Sequence, residues 1–384
     1  MSKRIGKSLT VHGNMLVSES AWNTELDGKH EKLVGWMKSQ GLAGVLIRRN
    51  ENVAWITGGA VELRVLTPCE TGVASILVTA EGKRYYFTTE NEAPRLHDEE
   101  FGALDFEPVL SPWYADDTTN RAQKLTDGLL GSDTQGAGLT WVNLYPLRAS
   151  LSETEITRYR WLGAETTAAT VESLHQVEPG LSEYDLEALT AANLLKRGIL
   201  PSVYLYAVDE RIYKYKHAVA RGKRLKQYGM LNLCARKWGL AISITRFVHF
   251  GTLPAELEAR FKSAAQVNAA LLDATKVGAT SAALFKVAQD AYAAEGFPGE
   301  EKFHHQGGST GYSEREWVAT PNGSETVVNS QAFAWNPSIR GGKAEDTVIL
   351  RDGKIEWLTA TPELPVIEAK LNGNTYPAAG VLVK

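Results

Sequence analysis

The stretch Met230-Leu231-Asn232-Leu233-Cys234-Ala235, followed by Trp238-Gly239 and then Ile242-Ser243-Ile244-Thr245-Arg246-Phe247, decides how this chain is read. It is apolar strand material carrying two polar side chains, Asn232 and Ser243, eleven positions apart. Three further stretches follow in fixed order. They are Phe303-His304-His305-Gln306-Gly307-Gly308-Ser309-Thr310-Gly311-Tyr312, then Ala334-Trp335-Asn336-Pro337-Ser338, then Glu345-Asp346-Thr347-Val348-Ile349.

Together these stretches resemble the aminopeptidase P, prolidase and creatinase family, whose C-terminal half has the so-called pita-bread fold. In that family's metallopeptidases an LDLGA strand and an SDITRT strand each supply an aspartate, and HRxGHGIGL, TIEPG and EDTVLV segments supply the other ligands. The resemblance places the five ligand positions on Asn232, Ser243, Gly308, Asn336 and Glu345, so only the last keeps its charge. A hard dication needs several anionic oxygens to recover its lost hydration energy. The resemblance therefore implies the fold without the dinuclear centre, and no metal or other cofactor is expected. By motif it covers residues from about 152 to about 366, and the N-terminal part in general plan only.

A chain of 384 residues is longer than one core usually serves. The expected architecture is α/β (α+β), with an N-terminal creatinase/prolidase-like domain over 1–150 and a pita-bread domain over 151–384. The 41 basic and 45 acidic residues give no electrostatic footprint for nucleic acid or an anionic membrane. Cys69 and Cys234 are the only cysteines, far apart and with no CxxC or paired-histidine spacing, so neither a disulfide scaffold nor a zinc site is suggested. Residues 1–14 are basic but lack an apolar core, and no run approaches a membrane span. A cytoplasmic protein is the default, and the resemblance adds the expectation of a homodimer.

Apolar spacing at Leu33, Trp36 and Met37 predicts a helix over residues 31–40, ended at Gly41, with a strand over 42–47. Strands over 72–79 and 84–88, joined through Glu81-Gly82, read as a hairpin. Ser152-Glu153-Thr154-Glu155 is a capping-box pattern that starts a long helix, and Leu181-Ser182-Glu183-Tyr184-Asp185 starts another running to about Arg197. Helices are expected over 256–275 and 281–295.

His217 lies fifteen residues before Asn232 in a basic loop, which by itself suggests a surface histidine. Its place resembles the family's HxP histidine, the acid and base of metal-free creatinase, and imidazole can exchange protons near pH 7. Glu345 could orient water, fix the imidazole's tautomer or grip a cationic substrate, or merely pair with a neighbouring cation. Glu316 aligns with the glutamate of an HExP motif, and Arg315 stands at that motif's second histidine. There a guanidinium suits a substrate carboxylate, though an Arg-Glu pair on a strand is equally natural.

Asn232 and Asn336 keep hydrogen-bonding capacity without charge, for substrate or as fill for the old cavity. Trp335 could wall the pocket or lie in the core, and Arg64 falls near the place where creatinase sends an arginine to the substrate carboxylate. His304 and His305, read as strand neighbours on opposite faces, should not chelate one ion. No GxSxG elbow or glycine-rich phosphate loop is present. The expected activity is metal-independent, creatinase-like hydrolysis of a C–N bond in a small polar carboxylate-bearing molecule or short peptide. The alternative is a non-catalytic cleft that binds a peptide, metabolite or protein.

Overall fold

The structure, a computed structural model, describes residues 10–11, 14–67 and 69–384. Most of the basic segment 1–14 lies outside the described residues. The chain divides into two compact units, Met1–Arg158 and Tyr159–Lys384. The fold is mixed α/β, as the sequence leads one to expect. Among the described residues, no helix is long and apolar enough to cross a membrane.

The first unit contains helix α1 (Glu19–Ser39), strand β1 (Gly44–Arg49), helix α2 (Asn50–Ile56) and strands β2 (Thr71–Thr79), β3 (Arg84–Thr89), β4 (Glu107–Ser111), β5 (Leu130–Ser132) and β6 (Thr140–Trp141). The strands form one mixed sheet in the order β4-β3-β2-β1-β5-β6. The expected hairpin is the antiparallel β2–β3 pair, with Val78 opposite Arg84 and Gly82 at φ +86° in its turn. Helix α1 starts twelve residues earlier than its apolar spacing suggested. The Ser18 hydroxyl accepts from the Ala21 N–H, and buried Trp22 and Leu26 extend the face of Leu33 and Met37.

The second unit is built from helices α3 (Glu153–Gln176, which straddles the division), α4 (Glu183–Leu195), α5 (Glu210–Lys214), α6 (Ala255–Ala274) and α7 (Ser281–Ala294) around two sheets. Ser152 and Glu155 cap α3 reciprocally at 3.2 and 2.7 Å, as their spacing predicts. Ser182 and Asp185 do the same for α4, which ends at Leu195, short of the expected Arg197, with Gly198 at φ +63° beyond it.

One sheet has strands β7 (Leu200–Val208), β8 (Tyr228–Lys237), β9 (Leu240–His249) and, at the chain end, β17 (Val381–Val383), in the order β17-β9-β8-β7. The other has β10 (Gly307–Thr310), β11 (Trp317–Val318), β12 (Gln331–Trp335), β15 (Asp346–Arg351) and β16 (Lys354–Trp357), in the order β11-β10-β12-β15-β16. A short hairpin, β13 (Ser338–Ile339) with β14 (Gly342–Lys343), lies between β12 and β15 in sequence.

Alternation along β8 and β9 positions the site. Leu231 and Val248 enter one core cluster with Leu174 and Leu186, while Met230 and Phe247 enter the opposite one with Leu257 and Phe261. Two residues along each strand, Asn232 and Thr245 follow the Met230 and Phe247 face. They are also direct cross-strand partners.

Strand β10 is squeezed between β11 and β12. A Cβ on Gly308 would stand 2.2 Å from the Trp317 carbonyl oxygen, and one on Gly307, at φ +89°, 2.1 Å from that of Ala334. No side chain fits at Gly308 without parting the strands. Gly308→Ala should therefore lower unfolding stability by about 2 kcal/mol or more in denaturant titrations. Gly35→Ala, at an exposed position of α1 with nothing within 4 Å of the new carbon, should raise it by about 0.5–1 kcal/mol.

Candidate functional site

The closing strand is anchored before any site chemistry is set. Buried Arg246, from β9, bonds the Glu345 carbonyl at 3.1 Å, the Asp346 carboxylate at 2.6 Å and the Thr359 carbonyl at 2.6 Å. This fixes the backbone at Glu345, whose side chain is itself buried.

Four groups converge on the Glu345 carboxylate. Lys343 Nζ lies 2.8 Å from Oε2 and Arg315 NH2 3.2 Å from Oε1. Asn232 Nδ2 donates to Oε2 at 2.7 Å, and the Thr245 hydroxyl donates to the same oxygen. Burial alone would raise this carboxyl's pKa, but Lys343 and Arg315 outweigh it and hold the group at about 2. The other Arg315 nitrogen donates to Ser243 Oγ at 2.9 Å, so one guanidinium spans two of the five positions assigned to metal ligands.

The residues present do not fit a dinuclear metal centre. The single carboxylate among the five positions already faces two cations, and the Asn232 amide presents a donor to it. Gly308 has no room for a ligand side chain. A cation added beside Lys343 or Arg315 would meet repulsion of about 4 kcal/mol per unit-charge pair at ~4 Å and an effective dielectric of about 20.

Beside the ion cluster stand three histidines. The ring centroids of His304 and His305 lie 4.8 and 5.9 Å from that of His217 and 4.4 Å from each other. The expectation that His304 and His305 could not chelate one ion is overturned, since a ring nitrogen of each and one of His217 all lie within 4.8 Å of one another. Strand β10 begins only at Gly307, so strand alternation does not govern residues 304 and 305. Their irregular backbone is held by the buried Gln306, whose side-chain amide donates to the His304 carbonyl and whose Oε1 accepts from Tyr292 O–H at 2.6 Å.

The hydrogen bonds define tautomers. His304 Nδ1 faces the His305 carbonyl, which can only accept, so Nδ1 carries the proton and Nε2 is left as acceptor. His217 Nε2, 3.0 Å from His304 Nε2, is then the donor, which leaves His217 Nδ1 with the lone pair. Burial first, then the Lys343 charge, lowers the His304 imidazole to about 2. His305 is lowered to about 4 by burial, then Arg315 and Lys343. His217, the most exposed, is pushed down by burial and Lys343 while Glu345 pulls the other way.

A cavity of about 370 Å³ opens on this group, lined by Lys216, His217, His304, Arg340 and Lys343, with Met230 and Phe247 as apolar wall. Its volume suits a small molecule. Two cations against one carboxylate at Glu345, together with Arg340, leave the site electropositive.

The structure thus gathers Asn232, Arg315, Glu345 and His217. It places Trp335, Glu316 and Arg64 in other contacts. Trp335 is buried in the core, with its indole N–H on Thr275 at 3.0 Å and its ring stacked on Phe333. Glu316 accepts from the Tyr312 and Ser313 N–H groups at 3.0 and 3.3 Å, closing its own turn. Asn336 is buried near Gln306, bonded through its backbone N–H, and its Oδ1 has no partner. Arg64 belongs to the first unit, where it pairs with Glu62 at 2.5 Å. Burial pushes the Cys234 thiol up to about 11, in keeping with an inert cysteine.

Lys343 was missed by sequence reasoning. Its signal was present: in extended chain, residues two apart share a face, so a lysine two places before a retained glutamate is placed to pair with it.

The model of metallopeptidase family M24 matches residues 160–352, and that of the creatinase/prolidase N-terminal domain matches residues 29–194. No curated protein sequence matches the chain. Among solved structures, the Pyrococcus horikoshii prolidase superposes with a TM-score of 0.72 at 20% identity, covering 87% of this chain and 98% of that one. A Bacillus anthracis Xaa-Pro dipeptidase gives 0.71 at 17% identity, with 94% and 100% covered. The N-terminal domain of the FACT complex subunit SPT16 from chickpea gives 0.60 at 13% identity, with 87% and 96% covered.

The depressed Glu345 pKa has a measurable consequence. A folded-state value below the unfolded one stabilises the protein fully above about pH 4.5, and that stabilisation is lost as pH falls toward about 2. Across that window wild type should lose on the order of 3 kcal/mol more unfolding stability than Glu345→Gln, read by denaturant titration at each pH.

Proposed function

Since the chain belongs to metallopeptidase family M24, and so is related to prolidases and Xaa-Pro peptidases, we propose that it is a metal-independent hydrolase of a carbon–nitrogen bond in a small carboxylate-bearing molecule or short peptide. The observation that carries this reading is the Lys343–Glu345–Arg315 cluster, in which side-chain cations occupy the neighbourhood assigned to the metals.

The substrate carboxylate is drawn to the excess positive charge around Lys343 and Arg340. His217 Nδ1 takes a proton from the attacking water and returns it to the leaving nitrogen, while His304 holds the imidazole in the required tautomer. Charged donors around the scissile group stabilise the oxyanion that forms on attack. The reading includes a cytoplasmic homodimer working without cofactor.

A second reading, a cleft that binds without turnover, has one observation in its favour. Glu345 Oε2 is shared by Lys343, Asn232 and Thr245, and Oε1 by Arg315, so the carboxylate is heavily committed before any water arrives.

The test is turnover of N-amidino amino acids, N-acyl amino acids and Xaa-Pro dipeptides in chelator-treated buffer, with amine release followed by mass spectrometry. The hydrolase reading expects turnover unchanged by chelator and lowered about a hundredfold or more by His217→Ala. Turnover that requires added manganese or cobalt would refute it, as would activity indifferent to His217→Ala. Ligand binding without turnover, retained in His217→Ala, would establish the second reading instead.

A further inference from the structure

The three histidines can do something that the ion cluster cannot. We propose that His217, His304 and His305 form a binding site for one transition-metal dication of the zinc class, at the cavity mouth and distinct from the five positions that the family resemblance assigns to metal ligands.

Geometry comes first. Among the described residues, these three each offer a ring nitrogen, and the ligand atoms all lie within 4.8 Å of one another. Zinc–nitrogen bonds of about 2.0–2.1 Å in tetrahedral array put ligand nitrogens about 3.3 Å apart. His217 Nε2 and His304 Nε2, at 3.0 Å, already stand within a few tenths of that separation. On binding, the His217 proton shifts from Nε2 to Nδ1, so that both Nε2 atoms turn lone pairs to the metal. His305 completes the set by a small ring movement.

The donor chemistry selects the metal. Imidazole nitrogens suit zinc, cobalt, nickel and copper, whereas magnesium, calcium and manganese prefer oxygen, and no carboxylate belongs to this set. The surrounding bonds have the pattern of a ligating histidine held from behind. His304 Nδ1 faces the His305 carbonyl, which fixes the ring and reserves Nε2 for a metal. Buried Gln306, itself bonded by Tyr292 at 2.6 Å, holds the backbone on which both histidines sit. The cavity beside His217 and His304 leaves an open coordination position for water or an anion.

Two features weaken the site. Ligation by His305 gives up a 3.2 Å bond from the Gly307 N–H to its Nδ1, which makes it the weakest ligand. Lys343 and Arg315 oppose any added cation, and Glu345 offsets only one of them. It follows that removing the Lys343 charge strengthens binding, a response that adventitious surface binding would not show. If the proposed hydrolysis is correct, a metal on His217 blocks the proton carrier and acts as an inhibitor.

The experiment needs no substrate, so its failure would leave the hydrolase reading standing, and failure of that reading would leave the site standing. The full chain, stripped by chelator, is dialysed against cobalt(II) and, separately, zinc(II) at neutral pH, and bound metal is quantified. One equivalent is expected, with the visible absorption of tetrahedral cobalt. His304→Gln and His305→Gln should each weaken binding by about tenfold or more, and the two together should abolish the cobalt band. Lys343→Met should tighten it by about threefold to tenfold. If either of these variants fails to fold, exposed His217→Gln gives the same reading. Substoichiometric binding by wild type, or an unchanged cobalt spectrum in any folded histidine variant, overturns the proposal.

Discussion

A carboxylate sealed inside a protein must be compensated, and in this chain the compensation of Glu345 organises everything around it. Lys343 and Arg315 supply the positive charge, while Asn232 and Thr245 satisfy the remaining hydrogen-bonding capacity. Leaving a buried charge unpaired typically costs about 3–5 kcal/mol, a large fraction of a domain's stability. Strand β9, strand β14 and the turn bearing Arg315 are therefore tied to one another through a single acid. Arg246 secures the same segment from beneath through Asp346.

On the proposed reading, this arrangement lets a metallopeptidase fold persist without its ligand set. Where two divalent ions would hold several carboxylates together, here two organic cations hold one. Asn232 keeps the size of an aspartate while presenting a donor to its neighbour. Gly308 is dictated by the backbone, since strands β11 and β12 approach too closely for any side chain there. What survives is a cavity with a net positive field and a histidine at its edge, which favours anionic ligands and polarises whatever binds. Transition-metal affinity, on the further inference, has moved from oxygen donors to nitrogen donors a short distance away. Fold and chemistry are separable in this way because the site is a small set of side chains on a much larger scaffold.

Much of the scaffold was legible in the sequence. Ser152–Glu155 and Ser182–Asp185 announce α3 and α4 through local hydrogen bonds that need no tertiary context. The pairing of β8 with β9, and the meeting of Asn232 with Glu345, were implied by the family resemblance. The errors have physical origins. His304 and His305 were assigned strand alternation although Gly307 begins the strand, so both rings turn to one side. Trp335 was plausible as a pocket wall, but its neighbours Phe333 and Thr275, distant or unremarkable in sequence, draw it into the core. Lys343 is legible only through its spacing from Glu345, and the burial of that partner reveals its role.

Side-chain cations, chiefly Lys343, neutralise Glu345. A double-mutant cycle on unfolding stability addresses this directly. Lys343→Met and Glu345→Gln are each expected to destabilise by about 2–5 kcal/mol, with the pair together costing at least about 2 kcal/mol less than the sum. Losses that simply add, in metal-free protein, would mean that the lysine does not compensate the acid and that the account is wrong.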